Sequence, residues 1–262
     1  MIVFSAFTPH SPLLIPTIGK DSHKRLKRTL EGMKTVAEHL YVSMPETIVF
    51  LSSHSFMHEN AFSINLHDEY TPDLSRFGDL GTQREFLPDL ALIDALQRSL
   101  RHAQQPVTLD SDVSLDHASA VPLLLLTERL PKIRIVPISY SGLDPKAHAA
   151  FGRALREVFE TSSRRIAIIG SGDLSHTLTN KSPAGFRKEG KQFDSAVEKA
   201  TATLSLAKLL SLEPAKVEAA AECAYRPLLM LFGLLEGKHA RAEIFSYEAP
   251  FGVGLLVAQF HL

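Results

Sequence analysis

The chain is 262 residues long, 45% hydrophobic and 22% charged, with a formal net charge of −1 at pH 7. This length can bury a sizeable core, and the balanced charge argues against nucleic acid or an anionic membrane as a partner. The single cysteine excludes an intramolecular disulfide and a cysteine-rich zinc module, so we expect a cytoplasmic protein.

Strand-like and helix-like segments alternate along the chain. In chain order, the predicted elements of the first part are strand Ile2–Phe7, helix Ser22–Leu40, strands Thr47–Leu51 and Ala61–Leu66, and a helix from Pro88 to Leu100. Those of the second part are helix Val121–Leu130 with Asp116 as its cap, strand Ile133–Ile138, a helix from Asp144 to Val158, strand Arg165–Ile169, helices Phe193–Leu210 and Pro227–Leu235, and strands Ala242–Tyr247 and Val253–Phe260.

This alternation predicts an α/β fold with a single domain over residues 1–262. We expect a sandwich with a mostly parallel central sheet, flanked by helices on both faces. Two polar segments rich in glycine and proline, Tyr70–Leu87 and Thr177–Gln192, are predicted lids over the strand ends. The first residues lack the pattern of a signal peptide, and their apolar run stops at Pro9, too early for a membrane span.

Three histidines follow predicted strands closely. His10 follows the first strand, His54 follows Thr47–Leu51, and His176 follows a later strand through a glycine-rich turn. Ligands of open α/β sheets bind beyond the carboxyl ends of the strands, so these imidazoles predict a site at that edge, and a metal site in particular. His117 stands where a helix begins, and a helix N-terminus can hold an anionic substrate oxygen.

Four short motifs occur together in a recognisable order: Pro9-His10-Ser11-Pro12, Ser53-His54, Asp116-His117 and Asp173-Leu174-Ser175-His176. Their order and approximate spacing resemble those of the class III extradiol ring-cleaving dioxygenases, the LigB-type superfamily. The closing segment from Ser246 to Gly254 looks like the branch that contains AMMECR1-associated and Memo-type proteins. The resemblance covers essentially the whole chain and implies a LigB-like catalytic domain.

The resemblance also implies a non-haem Fe(II) site with two histidines and one carboxylate as ligands. His10 and His54 match the family's two histidine ligands. For the third ligand, Glu222 is preferred because the dioxygenases place a glutamate just before the last major helix. Cys223 and Glu248 are alternatives, since Memo-type proteins have a cysteine in the equivalent segment and Glu248 ends a predicted strand. Zinc, manganese and copper are also compatible with such side chains.

The function implied is cleavage of the ring of a catechol or related aromatic substrate with O2. His176 matches the family's acid–base histidine, and His117 matches the histidine that contacts a substrate oxygen. We expect a homo-oligomer and allow for a small partner subunit. One alternative is a Memo-type metal-binding or redox protein without ring-cleavage activity. Another is a zinc hydrolase with His10, His54 and His176 as its three ligands.

Overall fold

Eleven strands and nine α-helices make up the fold, which a computed structural model describes for residues 1–262. The strands are β1 (Ile2–Thr8), β2 (Thr47–Ser52), β3 (Phe62–Asn65), β4 (Thr71–Pro72), β5 (Leu87–Pro88), β6 (Val107–Asp110), β7 (Ser114–Leu115), β8 (Arg134–Ser139), β9 (Ile166–Ser171), β10 (Arg241–Glu248) and β11 (Leu255–His261). The helices are α1 (Pro16–Gly19), α2 (Lys27–Val42), α3 (Leu90–His102), α4 (His117–Leu126), α5 (Pro145–Thr161), α6 (Lys188–Ala202), α7 (Leu206–Leu210), α8 (Pro214–Ala220) and α9 (Tyr225–Leu235). Crossing a lipid bilayer would need a longer apolar helix than any of these provides.

One mixed sheet contains nine of the strands, in the order β10-β11-β1-β9-β2-β8-β3-β6, with β5 also paired to β8. The central strands β1, β9, β2 and β8 are parallel to one another. On either side of them the direction reverses, because β11 is antiparallel to β1 and β3 is antiparallel to β8. The prediction of a mostly parallel sheet is therefore confirmed. The carboxyl ends of β1, β9 and β2 lie side by side at one edge.

Helices cover both faces of the sheet, as predicted. On β2, Val49 and Leu51 pack into one core cluster and Ile48 and Phe50 pack into the other, because successive side chains of a strand point to opposite faces. Helices α3, α5, α6, α7 and α9 contribute to the first cluster, and α2 and α4 contribute to the second. Strands buried on both faces are held firmly, so their ends present side chains at fixed positions.

Several element boundaries differ from the sequence prediction for local reasons. The predicted helix Phe193–Leu210 is two helices, because the chain turns at Leu204, which has a φ of 44°, and Ser205 caps α7. Pro88 ends a short strand instead of opening a helix. Helix α3 begins after Asp89, whose carboxylate accepts a hydrogen bond from the backbone N–H of Leu92 at 3.1 Å.

Candidate metal centre

Three histidine rings meet beyond the carboxyl edge of the parallel strands. The ring centroid of His10, two residues after β1, lies 5.0 Å from that of His54, two residues after β2. His117, the first residue of α4, has its centroid 5.2 Å from that of His10 and 4.6 Å from that of His54. The structure thus brings together the two predicted histidine ligands and the predicted substrate-contacting histidine.

The hydrogen bonds of His10 indicate which of its ring nitrogens carries the proton. The Ser171 hydroxyl donates to the backbone carbonyl of Ala118 at 2.7 Å, so its oxygen accepts from Nδ1–H of His10 at 3.0 Å. Nε2 of His10 therefore carries the lone pair and faces the centre of the cluster. An acceptor on the far ring nitrogen is the usual way in which a metal-binding histidine is oriented.

Cys223 supplies the third donor atom of the cluster. Its sulfur lies 3.4 Å from Nε2 of His10, and donor atoms of His10, His54 and Cys223 all lie within 4.8 Å of one another. The backbone N–H of Asp173 donates to the sulfur at 3.3 Å, and the backbone N–H of Cys223 donates to the carbonyl of Asp173 at 3.1 Å. The thiol is thus fixed against the loop that follows β9.

The two glutamates considered as ligands have other partners. The carboxylate of Glu222 accepts from the backbone N–H of Tyr225 at 2.6 Å at the start of α9, and it lines a cavity separate from the histidines. The carboxylate of Glu248 accepts from both the backbone N–H and the hydroxyl of Thr29 in the first turn of α2. Neither contact supports a role as ligand, so the geometry favours Cys223 among the three alternatives.

Asp116 joins the loop that carries His54 to the helix that begins with His117. Its carboxylate accepts from the hydroxyls of Ser52 and Ser55, which flank His54, with the shorter distance, 2.5 Å, to Ser55. It also caps α4 through the backbone N–H of Ala118 at 2.8 Å. This one carboxylate sets the spacing of the two histidines.

His176 approaches the cluster on the loop after β9. Its Nδ1–H donates to the carbonyl of Ala221 at 2.6 Å, and its backbone N–H donates to the carbonyl of Ala220 at 2.9 Å. Because Nδ1 carries the proton, Nε2 is left as a proton acceptor. The ring lines the same cavity as His10, His54 and His117.

Burial keeps the histidines of the cluster neutral. It lowers the pKa of His10 well below its ordinary value, with the neighbouring imidazoles of His54 and His117 adding to the effect. The pKa values of His54 and His117 are lowered for the same main reason. Burial also raises the pKa of the Cys223 thiol well above its usual range. A cation that binds here would meet neutral imidazoles and would release the thiol proton.

The cluster opens into a cavity of about 540 Å³, a volume typical of small-molecule sites. Both predicted lid segments contribute to its wall, the first through Phe77 and the second through Lys181 and Pro183. The Phe77 ring lies 5.1 Å from that of His117. The rest of the apolar wall consists of Pro12, Leu13, Ile18, Phe251, Val253 and Leu255.

Comparison with known protein families matches residues 5–258 to a family described as the catalytic LigB subunit of aromatic ring-opening dioxygenase. The chain belongs to the LigB family. The match extends over nearly the whole chain and agrees with the sequence-based resemblance. The placement in the AMMECR1-associated and Memo branch stays a prediction.

Curated relatives of this LigB-family chain are distant. A Clostridium acetobutylicum protein that carries only a locus name is 27% identical over 94% of this chain and 54% of its own length. A 2,3-dihydroxyphenylpropionate/2,3-dihydroxicinnamic acid 1,2-dioxygenase of Mycolicibacterium smegmatis is 27% identical over 67% of this chain and 58% of its own. An enzyme of the same name from Paraburkholderia xenovorans is 31% identical over 38% of this chain. The chain spans about half the length of the first two relatives.

A solved structure has the same fold. An uncharacterized protein of Escherichia coli K12 superposes with a TM-score of 0.71 at 20% identity, and the match covers 99% of this chain and 100% of that one. At this identity the likeness supports the fold alone.

The donor set of this LigB-family chain fits a divalent metal ion. The unprotonated Nε2 of His10, the His54 ring and the Cys223 thiol converge, and two imidazoles with one thiolate suit zinc, copper or iron. The set differs from two histidines and one carboxylate. The carboxylate near His10 is that of Asp173, whose Oδ2 lies 3.9 Å from Nε2 of His10.

Sequence reasoning assigned no role to Asp173 or Ser171. Asp173 is 5% exposed, lines the cavity and accepts from the backbone N–H of His10 at 2.9 Å. The available signal was its place three residues before His176, in the turn after a strand. Ser171 orients His10 from the last position of β9, where a small polar residue ends an apolar strand.

Proposed function

We propose that this chain is a metal-dependent dioxygenase that opens the ring of a catechol or related aromatic substrate with O2. The observation that carries the proposal is the convergence of donor atoms of His10, His54 and Cys223. Beside this cluster lies a cavity that His10 and His54 line together with His117 and His176. The family and the activity for which two relatives are named support the reaction class. Iron is the metal we propose: His10, His54 and Cys223 would hold it, and it would supply Lewis-acid and redox chemistry for the reaction of the diol with O2.

His176 is the proposed acid–base residue. Nε2 faces the cavity without a proton, because Nδ1–H is committed to the carbonyl of Ala221. The ring can therefore accept a proton from a substrate hydroxyl and later return it, help that is typically worth about 10²–10⁴-fold. His117, held beside His54 by Asp116, is the proposed contact to the second substrate oxygen.

The cavity wall suggests an acidic substituent on the ring. Lys181 contributes a cation to a wall that is otherwise largely apolar, and two relatives are named for dihydroxyphenylpropionate, an aromatic diol with a carboxylate side chain. We therefore propose a carboxylate-bearing diol as substrate. Lys181→Met should raise KM for such a diol, leave KM for unsubstituted catechol unchanged, and change kcat little for either.

The proposal is tested by following oxygen uptake after anaerobic purification and reconstitution with Fe(II), using a panel of catechols and aminophenols. We expect oxygen consumption with a new ring-fission chromophore, lost in His10→Ala and reduced in His176→Ala. His102→Ala, at an exposed histidine at the end of α3, is the matched control and should retain full turnover. Full turnover by His176→Ala would remove the acid–base assignment.

A Memo-type metal-binding or redox protein is the second candidate, and the Cys223 thiol within the donor set favours it. A thiolate ligand suits copper and zinc as well as iron. Stoichiometric metal binding without oxygen uptake across the panel would support this candidate over the dioxygenase. The zinc hydrolase alternative predicts zinc-dependent, oxygen-independent turnover in the same assays.

A further inference from the structure

A second buried carboxylate lies behind the loop that carries His176. Asp194 on α6 is 1% exposed, and its two hydrogen bonds come from uncharged donors. Oδ1 accepts from the backbone N–H of Ser175 at 2.8 Å, and Oδ2 accepts from the hydroxyl of Tyr247 at 2.6 Å. Removing a carboxylate from water costs on the order of several kcal/mol, unless neighbouring charges or hydrogen bonds compensate for the lost hydration.

Asp194 is connected to the His176 ring through Ser175. The Ser175 hydroxyl donates to the carbonyl of Ala220 at 3.2 Å, and the same carbonyl accepts from the backbone N–H of His176. The next carbonyl, of Ala221, accepts from Nδ1–H of the His176 ring. Asp194 thus holds the residue before His176, and that residue holds the carbonyl of Ala220, next to the carbonyl of Ala221 that orients the ring.

Two glycines allow the backbone to approach this arrangement closely. A Cβ at Gly190 would lie 2.4 Å from the Ser175 hydroxyl, and a Cβ at Gly254 would lie 2.2 Å from Oδ2 of Asp194. The backbone N–H of Gly254 also donates to the carbonyl of Ser175 at 3.0 Å. Ser175 is therefore held from two sides, by α6 and by the segment before β11.

We infer that Asp194 is a positioning residue, which sets the orientation of His176 toward the metal cluster through Ser175. This inference rests on the role proposed above for His176. Asp194 touches neither the cavity wall nor the three metal donors, so its replacement should change proton transfer and leave metal binding intact. Direct partners of metal-binding histidines typically contribute about 10–100-fold to affinity or activity, and we take that range as the expected upper size of the effect here.

Asp89 provides a matched control for Asp194. It is also 1% exposed, and its carboxylate accepts from the Thr47 hydroxyl at 2.6 Å and from the backbone N–H of Leu92 at 3.1 Å. It lies beside the first residue of β2, at the opposite edge of the sheet, with Arg164 at 3.5 Å. Asp194→Asn and Asp89→Asn therefore each remove one buried carboxylate, although Asp89 has a cationic neighbour and Asp194 has none. Only Asp194 lies behind His176.

The test compares both variants in three measurements: Zn²⁺ and Fe²⁺ stoichiometry, the ¹⁵N shifts of the His176 ring, and turnover. We expect Asp194→Asn to bind metal as the wild type does. The ¹⁵N shifts of its His176 ring should move toward the values of a mixture of tautomers, and its kcat should fall by about 10–100-fold with little change in KM. Asp89→Asn should leave the ring nitrogens and kcat unchanged. If Asp194→Asn has the ¹⁵N shifts of the wild-type His176 ring and also the wild-type kcat, the inference is overturned.

The test also gives a result if the wild type is inactive or if Asp194→Asn does not fold. Should the wild type show no ring cleavage, the proposed function fails, and the ¹⁵N shifts of His176 alone decide whether Asp194 positions the ring. Should Asp194→Asn not fold, Tyr247→Phe removes one of the two donors to Asp194 and is measured in the same way. We expect it to shift the same nitrogens by a smaller amount, and an unchanged spectrum would contradict the inference.

Discussion

The sulfur of Cys223 lies 3.4 Å from Nε2 of His10, whereas the carboxylate of the preceding residue, Glu222, lies 2.6 Å from the backbone N–H of Tyr225. Two adjacent side chains therefore perform different tasks. The thiol lies among the candidate metal donors with His10 and His54, and the carboxylate satisfies an amide at the start of α9 that would otherwise lack a partner. Metal binding should depend on the first and not on the second.

The first prediction concerns the third ligand. Cys223→Ala should lower metal affinity by more than the roughly 10–100-fold that loss of an outer partner costs, because it removes a donor atom. Glu222→Gln should retain wild-type affinity, since an amide oxygen can still accept from Tyr225 N–H. Calorimetric titration with Zn²⁺ and anaerobic titration with Fe²⁺ measure both variants. Loss of binding in Glu222→Gln with retention in Cys223→Ala would restore Glu222 as the ligand.

The second prediction concerns the orientation of His10. Ser171→Ala removes the oxygen that accepts from Nδ1–H, so the ring can rotate or change tautomer, and metal affinity should fall about 10–100-fold. Ser5→Ala is the control, because Ser5 is a buried serine of β1 whose hydroxyl has no hydrogen-bond partner. Equal metal affinity in Ser171→Ala and Ser5→Ala would show that the hydroxyl does not orient the ring.

The third prediction concerns Asp116. Asp116→Ala should destabilise the protein by about 1 kcal/mol or more through loss of the α4 cap, and should also weaken metal binding because Ser55 and the His54 loop are released. Asp144→Ala removes a comparable cap from α5, where the carboxylate accepts from Ala147 N–H, without touching the site.

Chemical denaturation and metal titration of these two variants separate the effects. Both should lose stability, and only Asp116→Ala should lose metal affinity. An unchanged affinity in Asp116→Ala would mean that the His54 loop holds its position without this carboxylate.

Much of the site was predictable because it lies at strand ends. The runs Ile2–Phe7, Thr47–Leu51 and Arg165–Ile169 are apolar enough to indicate buried strands, and parallel neighbours end at the same edge of a sheet. Histidines directly after such runs must then lie close together, as His10 and His54 do. Homo-oligomer formation and the partner subunit stay predictions.

The position of Cys223 beside the histidines was not predictable in the same way. Ala221 adopts a left-handed conformation with a φ of 50°. After it, Glu222 lines a cavity away from the histidines, whereas the sulfur of Cys223 contacts Nε2 of His10. That conformation is usually marked by glycine or asparagine, so an alanine gives no signal of the turn. The contact between Asp194 and Tyr247 was also invisible, because it joins α6 to β10 and follows no local pattern.

The last prediction concerns stability in acid. His148 is fully buried. Its Nδ1–H donates to the carbonyl of Asp144 at 2.9 Å, and Nε2 accepts from the backbone N–H of Ser141 at 3.4 Å. Protonation at Nε2 would remove that acceptor. Burial lowers the pKa of His148 from 6.5 to about 4. Between these values the unfolded chain binds the extra proton, so acidification should favour unfolding.

Integrated over that range, His148 should cost roughly 3 kcal/mol of stability between pH 6.5 and pH 4, at 1.36 kcal/mol for each unit of pKa. His148→Gln loses packing against Phe62 and should be less stable at pH 7, with a shallower fall toward pH 4. His102→Gln, at an exposed position, should follow the wild-type curve. Denaturant melts at half-unit pH intervals measure the three curves. Parallel curves for His148→Gln and wild type would show that His148 is already protonated in the native protein or titrates equally in both states.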